Sequence, residues 1–276
     1  MSGITLVTGA TGYIGQEVLN LLMNKNIRLR IVVRKKSTNK LHLNEKIISI
    51  VETDDLFSES EEWWAKTFLG VDKCLHLAWF AKPGEYLDSK MNLHCMNGTL
   101  KMAKGFIAAG GKYFAGVGTC LEYDESSFPL RVSSPIRPKS IYAISKAKTN
   151  ESLKALFDQS DVGFSWSRIF YLYGGNEDSR RLYPIVRASL EKKIPLKIRN
   201  GDLIRDYMPI SEAAKALADI LVKNITGPIN ICSGVPVTIK EFLYKNFGEY
   251  EAYQLIEFQT IKTLEPRCVV GVKSSH

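Results

Sequence analysis

The sequence predicts an α/β fold in which a doubly wound parallel sheet is joined to a small discontinuous C-terminal region. Short apolar runs alternate with stretches that carry apolar residues at helical spacing, which is the βαβ pattern of a parallel sheet. In addition, the glycine-rich segment Thr8–Gly15 lies between the first apolar run and the first helical stretch. Such a turn is typical of the point where the first strand of a doubly wound sheet meets its first helix.

Each element follows from its local pattern, taken in chain order. The short apolar runs predict strands at Ile4–Val7, Arg30–Val33, Ile47–Val51, Lys73–Leu77, Tyr113–Gly116, Gly163–Tyr171 and Pro228–Cys232. Helical spacing predicts helices at Gln16–Met23, Leu93–Ala109, Tyr142–Phe157 and Ser211–Leu221, with two shorter ones at Arg181–Glu191 and Thr238–Asn246.

The composition is that of an ordinary globular protein. Of the 276 residues, 45% are hydrophobic and 24% are charged. No run approaches the roughly 18 apolar residues of a membrane span, and the start lacks the pattern of a signal peptide. We therefore expect a cytoplasmic protein without a membrane partner. The five cysteines are scattered without C-x-x-C spacing, which argues against a disulfide framework or a zinc site.

A net charge of +8 raises nucleic acid as a partner. The basic residues, however, fall into small groups such as Arg34-Lys35-Lys36 and Arg180-Arg181, with no aromatic-rich RNA motif or zinc-finger pattern between them. We therefore expect no nucleic-acid partner. A basic excess also suits an enzyme whose cofactor and substrate both carry phosphates.

The glycine-rich segment has the spacing of a loop that binds the phosphates of a dinucleotide. Gly9 allows a tight turn, Gly12 lets backbone amides approach a pyrophosphate, and Gly15 lets the helix pack against the strand. The helix N-terminus adds unpaired N–H groups and a partial positive charge. The alternative is an ordinary glycine-containing turn. The loop residues expected to contact the cofactor are Gly9, Thr11, Gly12, Tyr13, Ile14 and Gly15.

The end of the second predicted strand indicates which dinucleotide is bound. An acidic residue there would bind a free ribose 2′-hydroxyl, whereas an arginine would pair with a 2′-phosphate. The strand continues into Arg34 and Lys35 without an Asp or Glu. We therefore expect NADP(H) to be preferred, with NAD(H) as the open alternative; the other interpretation is that both residues are solvated charges at the strand end.

Two regions follow from this organisation. Residues 1–173 and 202–233 form the predicted NADP-binding Rossmann domain. Residues 174–201 and 234–276 break the alternation of strands and helices and form the predicted substrate-binding region. That region is expected to cover the carboxyl edge of the sheet, where ligands of such sheets bind.

A tyrosine and a lysine lie four positions apart in one predicted helix. Tyr142 and Lys146 therefore share a face of that helix. A free phenol has a pKa of about 10, and a nearby cation lowers it by stabilising the phenolate, which makes tyrosine a usable general acid or base. On its own the pair is an ordinary exposed helical pair; it gains meaning because it follows a dinucleotide loop.

Ordered motifs along nearly the whole chain resemble those of the extended short-chain dehydrogenase/reductases, in the nucleotide-sugar epimerase/dehydratase/reductase family. The segments that match the family's motifs are Thr8–Gly15, Asp55-Leu56, Leu75-His76-Leu77-Ala78, Asn97, Gly118–Tyr123, Pro138–Lys146, Arg168–Gly174 and Gly201–Tyr207. Asn97 corresponds to a structural asparagine in that resemblance.

The resemblance implies a role for several residues. Thr119 would hydrogen-bond the reacting oxygen, Tyr142 would transfer its proton, and Lys146 would position the nicotinamide ribose and tune Tyr142. Arg205 would hold the diphosphate of a nucleotide sugar, as its forked guanidinium suits that ligand. Further contacts are implied for Asp55 and Leu56 beside the adenine, for Leu77 and Ala78 with the cofactor, and for Tyr171, at the place of a substrate-contacting asparagine, with the substrate. His76 is expected to be a structural strand residue.

Departures from the family motifs bear on the reaction. Where 4,6-dehydratases of the family carry Asp-Glu after the catalytic Thr, this chain has Cys120 and Leu121. Reductases that also epimerise C3 and C5 would need a cysteine at Leu121. The remaining expectation is an NADPH-dependent reductase of a nucleotide-linked 4-keto-6-deoxy sugar, with a nucleotide-sugar C4-epimerase and a non-catalytic dinucleotide sensor or scaffold as alternatives. By analogy within the family, Leu93–Ala109 and Tyr142–Phe157 would pair across a homodimer.

Overall fold

The computed structural model describes residues 3–25, 27–41, 45–248, 254–263 and 265–274. They fold around a central sheet of seven strands, all of which run parallel. Helices flank both faces of this sheet. The fold class predicted from the sequence is thereby confirmed.

The elements have the following bounds in chain order. The strands are β1 (Ile4–Thr8), β2 (Arg28–Arg34), β3 (Ile47–Thr53), β4 (Val71–His76), β5 (Tyr113–Thr119), β6 (Gly163–Ile169), β7 (Tyr171–Tyr173), β8 (Leu196–Arg199), β9 (Ile204–Arg205), β10 (Tyr207–Pro209), β11 (Gly227–Ile231), β12 (Val237–Thr238), β13 (Ile256–Gln259) and β14 (Cys268–Val269). The helices are α1 (Tyr13–Met23), α2 (Glu61–Thr67), α3 (Met91–Ala108), α4 (Ile141–Phe157), α5 (Leu182–Lys192), α6 (Ile210–Lys223) and α7 (Ile239–Phe247).

The order of the strands places the ligand crevice. The central sheet runs β11-β6-β5-β4-β1-β2-β3. The chain therefore moves from β1 to one edge and then crosses back to β4 and on to the other edge. The crevice outside the carboxyl ends of β1 and β4 is the switch point where ligands of such sheets bind.

The core lies on both faces of the central sheet because successive strand residues point to opposite sides. Leu6 of β1 packs with Trp64 and Phe106 on the face covered by α2, α3 and α4. Its neighbour Val7 packs with Leu217 on the face covered by α1 and α6. These two fully buried clusters hold β1 rigidly, and the loop that follows β1 starts from a fixed point.

Smaller sheets lie outside the central one. β8 pairs with β13, and β9 lies between β12 and β14. A separate hydrophobic cluster joins α5 and α7 to β8 and β13 through Val186, Ile198, Phe242, Leu243 and Ile256. β9, which the predicted division assigns to the Rossmann domain, pairs with strands of the other region, and the domain boundaries stay a prediction.

The structure differs from the predicted elements in several places, and the short strands β8, β9, β10, β12, β13 and β14 were not predicted. α1 begins at Tyr13, three residues before the predicted start. α2 was not predicted. The run predicted as one strand over Gly163–Tyr171 is two strands, because the N–H of Phe170 donates to Ile231 whereas the N–H of Tyr171 donates to Asp206.

The segment that follows β14 is tied to the body of the protein. The N–H of Leu130 donates to the Val270 carbonyl at 2.9 Å, and the N–H of Val272 donates back to Leu130 at 2.8 Å. The N–H of Asn230 donates to the Ser274 hydroxyl at 3.1 Å. Residues 275–276 of this segment lie outside the described residues.

No helix within the described ranges is both long and apolar enough to span a membrane. The five cysteines form no disulfide, and four of them are buried. In the part of the chain that the structure describes, no group of three or more His, Cys, Asp or Glu side chains could hold a metal ion.

Candidate active site

The glycine-rich loop joins the end of β1 to the start of α1. Gly9 has a φ of +74°, and a Cβ there would lie 2.5 Å from the backbone nitrogen of Ala78. A Cβ on Gly15 would lie 2.0 Å from the carbonyl oxygen of Gly9. Both positions therefore require glycine. Among the described atoms, a Cβ on Gly12 would meet just the Gly9 carbonyl oxygen, at 3.2 Å, which leaves open space beside Gly12.

The first turn of α1 is free to bind an anion. Gly12 precedes the helix in an extended conformation, and no side chain caps the helix. The first turn, which begins with Tyr13 and Ile14, contains no acidic residue. Unpaired N–H groups and the helix dipole at such an end attract phosphate. These residues therefore fit the pyrophosphate of a dinucleotide.

The ends of β1 and β4 lie side by side, as the motifs predicted. The N–H of Leu77 donates to the carbonyl of Thr8 at 3.2 Å, and the N–H of Ala78 donates to the Thr8 hydroxyl at 3.4 Å. Beside them, His76 is buried and uses both ring nitrogens, at 2.7 Å from the Thr8 hydroxyl and 3.0 Å from the Thr99 hydroxyl. Burial lowers the pKa of His76 to about 3, so this residue is a neutral structural group.

Asp55 and Leu56 follow β3 at the same edge of the sheet. The Asp55 carboxylate lies 2.6 Å from Nε2 of His94 and accepts hydrogen bonds from the Phe57 N–H and the Ser58 hydroxyl. Burial acts to raise the pKa of Asp55, but these hydrogen bonds hold it below its usual value. Leu56 is buried next to it.

The two basic residues predicted to select the cofactor have different surroundings. Arg34 ends β2 and is exposed to solvent. Lys35 forms an ion pair of 3.0 Å with Asp54, which follows β3. Lys35 therefore already has an acidic partner, and Arg34 is the better candidate for contact with a 2′-phosphate.

Thr119, Tyr142 and Lys146 come together at the carboxyl end of β5. Thr119 is the last residue of β5. The N–H of Tyr142 donates to the Leu87 carbonyl at 2.8 Å, which fixes the start of α4. The side chain of Thr119 lies close enough to the phenol of Tyr142 to act on its pKa. The structure thus brings the three predicted catalytic residues together.

Lys146 is almost fully buried. Its Nζ donates a hydrogen bond to the Val117 carbonyl at 2.6 Å and lies 3.8 Å from the centre of the Trp79 ring. Burial lowers the pKa of Lys146 to about 7, while the negative charge of Glu122 acts in the opposite direction. The ammonium is therefore held in a site where small changes in its surroundings alter its charge.

The pKa of Tyr142 differs from the expectation that Lys146 lowers it. Burial raises the pKa of Tyr142 above its usual value, and the charges of Tyr86 and Glu122 add to this effect. The side chain of Thr119 acts in the opposite direction. Since the Lys146 ammonium is directed at Val117 and Trp79 instead, the phenol is kept in its protonated form.

A buried ion pair lies behind Thr119. Both members, Glu122 and Arg168, are almost completely buried, and Nε of Arg168 lies 2.7 Å from the carboxylate. The Glu122 carboxylate also accepts hydrogen bonds from the backbone N–H of Thr119 at 2.8 Å and from Nε1 of Trp166 at 3.0 Å. These contacts fix the backbone that carries the Thr119 hydroxyl.

Arg205 is buried and already satisfied by other groups of the protein. Its guanidinium donates to the carbonyls of Ile204 and Pro266 and to the Glu265 carboxylate at 2.9 Å. The guanidinium carbon lies 5.6 Å from the centre of the Tyr171 ring. The two predicted substrate residues, Arg205 and Tyr171, therefore lie together, but a diphosphate would have to replace Glu265.

Sequence reasoning missed four residues of this region. Trp79 directly follows the Leu75–Ala78 motif, and Glu122 lies inside the Gly118–Tyr123 motif. Their positions beside or within a motif are therefore the signal by which the sequence could have identified them. Tyr86, whose ring meets Tyr142 edge-on at 4.8 Å, carried no signal. Asp206, whose carboxylate is fully buried, follows Arg205 directly.

The structural role predicted for Asn97 was wrong. Asn97 is exposed on α3, whereas Asn92 on the same helix is fully buried. The Asn92 amide donates to the carbonyls of Tyr86 and Ser89 and accepts from Nε1 of Trp79 at 2.8 Å. Asn92 therefore fixes the ring that covers Lys146.

Comparison with known proteins identifies relatives over most of the chain. The protein is 23% identical to dTDP-6-deoxy-L-talose 4-dehydrogenase (NAD(+)) of Aggregatibacter actinomycetemcomitans, over 89% of this chain and 90% of that protein. It is 25% identical to CDP-abequose synthase of Salmonella typhimurium, over 86% of this chain and 78% of that protein.

A solved structure has the same fold. UDP-N-acetylglucosamine 4-epimerase from Methanobrevibacter ruminantium, in complex with UDP-N-acetylmuramic acid, superposes with a TM-score of 0.83 at 20% identity, covering 99% of this chain and 90% of that one. The sequence profile of the NAD dependent epimerase/dehydratase family matches residues 5–232. The chain therefore belongs to the NAD dependent epimerase/dehydratase family, the extended short-chain dehydrogenase/reductase enzymes that its motifs resemble.

Proposed function

We propose that the protein is an NADPH-dependent reductase of a nucleotide-diphosphate-linked 4-keto-6-deoxy sugar. The observation that carries this proposal is that Thr119 lies beside Tyr142 and that Lys146 is buried one helical turn further on, without the acidic residues that a dehydratase needs at Cys120 and Leu121. The name of one relative, dTDP-6-deoxy-L-talose 4-dehydrogenase, describes oxidation of a 6-deoxy sugar at C4. That reaction is the reverse of the reduction proposed here.

The three residues have distinct roles in the proposed reaction. Thr119 and Tyr142 bind the ketone oxygen at sugar C4, and Tyr142 gives that oxygen its proton. Because the raised pKa of Tyr142 keeps the phenol protonated, the proton is available for reduction. Lys146 positions the nicotinamide ribose, and its ammonium stabilises the phenolate that remains when Tyr142 has given up its proton. When bound, the reduced dinucleotide supplies the hydride that C4 gains and is itself oxidised.

The binding residues follow from the same arrangement. The first turn of α1, with Thr11 and Tyr13, would hold the dinucleotide pyrophosphate. Asp55 and Leu56 would contact its adenine, and Leu77 and Ala78 would also contact the cofactor. Tyr171 and Arg205 face the nucleotide sugar. Residues 174–201 and 234–276 supply the remaining substrate contacts as a small region of their own.

The preference for NADPH over NADH rests on Arg34. Its exposed guanidinium stands at the end of β2, where a 2′-phosphate is recognised in folds of this type. The name of one relative specifies NAD(+) as its cofactor, so the activities of this protein with NADPH and NADH must be compared directly.

A C4-epimerase of nucleotide sugars is the second candidate. The same three residues serve it, since oxidation and reduction at C4 need no further acid or base. The fold shared with UDP-N-acetylglucosamine 4-epimerase is in keeping with it. An epimerase retains NAD through a whole cycle, whereas a reductase consumes NADPH. In either case we propose a homodimer that pairs through α3 and α4.

The decisive experiment measures NADPH oxidation at 340 nm with dTDP-, CDP- and GDP-linked 4-keto-6-deoxy sugars, and with NADH in parallel. Stoichiometric loss of NADPH with one of them would support the reductase and identify the nucleotide. No oxidation with any of them, together with NAD that co-purifies with the protein, would favour the epimerase.

A further inference from the structure

The segment after β7 passes beside the phosphate loop. The chain leaves β7 through Gly174 and Gly175, both with positive φ, and reaches α5 at Leu182. The Tyr13 hydroxyl, in the first turn of α1, donates a hydrogen bond to the Gly174 carbonyl at 2.8 Å. This bond fixes the start of the segment against the free N-terminus of α1.

Two adjacent arginines end this segment, and they differ in their contacts. Arg180 binds the Asp178 carboxylate twice, with both nitrogen-to-oxygen distances at 2.8 Å. The guanidinium of Arg181 makes no hydrogen bond and no ion pair within the described residues. It lies over the ring of Tyr13, with its central carbon 5.8 Å from the ring centre.

Arg181 also lies close to the catalytic end of the crevice. Its charge acts to lower the pKa of Tyr86, although burial of that phenol has the larger, opposite effect. The Tyr86 ring in turn meets the ring of Tyr142 at 4.8 Å. The unpaired guanidinium therefore lies over Tyr13 of the phosphate loop, and its charge reaches Tyr86, whose ring contacts the proposed proton donor.

We propose that Arg181 binds the pyrophosphate of the dinucleotide, on the opposite side from the N–H groups of α1. A guanidinium binds two phosphate oxygens at once in a fixed geometry, and the helix end attracts the same anion. This inference rests on the proposed function to the extent that the crevice binds a dinucleotide.

Acidic side chains also face this place. The negative charges of Glu17 and Glu177 both raise the pKa of the Tyr13 phenol. Within the described residues, one carboxylate oxygen of Glu177 is buried without a hydrogen-bond partner. Burial raises the pKa of Glu177, while Arg181 acts to lower it.

The test compares Arg181→Ala with the matched control Arg180→Ala. Binding of ADP-ribose, NADPH and dTDP is measured by titration calorimetry, and thermal melting checks that each variant is folded. ADP-ribose carries the pyrophosphate but no 2′-phosphate, and dTDP stands for the nucleotide of the substrate. We expect Arg181→Ala to weaken ADP-ribose and NADPH by at least about tenfold and dTDP by less than about twofold. Arg180→Ala should leave all three within about twofold, and Arg181→Lys should recover part of the loss.

Three results would overturn the inference. Unchanged ADP-ribose affinity in a folded Arg181→Ala protein would show that the residue does not bind pyrophosphate. Loss confined to NADPH would assign it to the 2′-phosphate, and loss confined to dTDP would assign it to the substrate diphosphate. If the wild-type protein itself bound neither ADP-ribose nor NADPH, the proposed function would fail first.

Discussion

The Nζ of Lys146 lies 3.8 Å from the centre of the Trp79 ring. A cation over an aromatic face is stabilised by the ring, most strongly where water is excluded. Burial lowers the pKa of Lys146 to about 7 even though the charge of Glu122 raises it, and the ring helps to keep the side chain charged. Asn92 holds the ring in place through Nε1 of Trp79.

Replacing Trp79 with leucine should therefore shift the pH dependence of the reaction. The ammonium form of Lys146 is present below pH of about 7 and is lost as the pH rises through that value. Without the ring, the pKa falls further, and kcat/KM should decline at a pH lower by roughly half to one and a half units. Trp63→Leu on α2 is the control. An identical pH profile for Trp79→Leu and wild type would contradict this role.

Glu122→Gln should act on the same ionisation and on stability. The carboxylate charge raises the pKa of Lys146, so its removal should move the decline in kcat/KM to lower pH. Because Arg168 would be left as a buried charge without its partner, the free energy of unfolding should fall by about 3–5 kcal/mol, measured by urea denaturation. Glu125→Gln, which removes the carboxylate that pairs with the exposed Lys139, should change neither quantity by much. A destabilised variant with an unshifted pH profile would leave Glu122 with a structural role alone.

Two glycines of the phosphate loop should respond differently to alanine. A Cβ on Gly12 meets just the Gly9 carbonyl oxygen at 3.2 Å, so Gly12→Ala should keep its melting temperature within a few degrees but weaken NADPH binding at least about tenfold. A Cβ on Gly15 would lie 2.0 Å from the same oxygen, so Gly15→Ala should lower the melting temperature clearly. Calorimetry and thermal melting on both variants separate the two effects; equal NADPH affinity in Gly12→Ala and wild type would argue against the loop as the pyrophosphate site.

Tyr142→Phe tests whether the protein is a catalyst. Loss of the proton donor should lower kcat at least about a hundredfold, while calorimetry should show NADPH affinity close to that of wild type. Tyr173→Phe removes a hydroxyl from a ring on β7, away from Thr119, and serves as the control. Full activity in Tyr142→Phe would instead favour a sensor or scaffold that uses the same fold.

Arg34→Ala should reduce discrimination between the two dinucleotides. The exposed guanidinium at the end of β2 is lost, so the KM for NADPH should rise at least about tenfold while the KM for NADH stays the same. Arg28→Ala, at the opposite end of the same strand and equally exposed, is the matched control. Similar KM values for both cofactors in the wild-type protein would already remove the basis for a preference.

Local patterns were sufficient for much of the central sheet and for the phosphate loop. α2 was missed because it has seven residues, too few to display a helical period. Its N-cap residue, Ser60, is of a type that favours the start of a helix. In the structure the Ser60 hydroxyl accepts a hydrogen bond from the N–H of Trp63. The break at Phe170 was not visible, because it reflects a change of partner from Ile231 to Asp206, and both partners are distant in sequence.

The proximity of Thr119, Tyr142 and Lys146 was predictable from motifs of known order. What surrounds them was not. Trp79 lies in the segment after β4 and Glu122 in the turn after β5, and their influence on Lys146 depends on distances that only the folded sheet sets. Glu265, whose carboxylate forms an ion pair with the guanidinium of Arg205, comes from a segment without a recognisable sequence pattern.

Asp206 has a consequence for how the protein matures on the ribosome. Its carboxylate accepts hydrogen bonds from the backbone N–H groups of Ser233 and Gly234. It also accepts one from the N–H of Gly271, which is synthesised 65 positions later. Domains generally fold from the N-terminal side as they emerge, so the seven strands of the central sheet are available before Gly271 is. A nascent chain that has already assembled its phosphate loop therefore still has an incomplete set of hydrogen bonds around Asp206. Synthesis of the segment around Gly271 is the step that completes it.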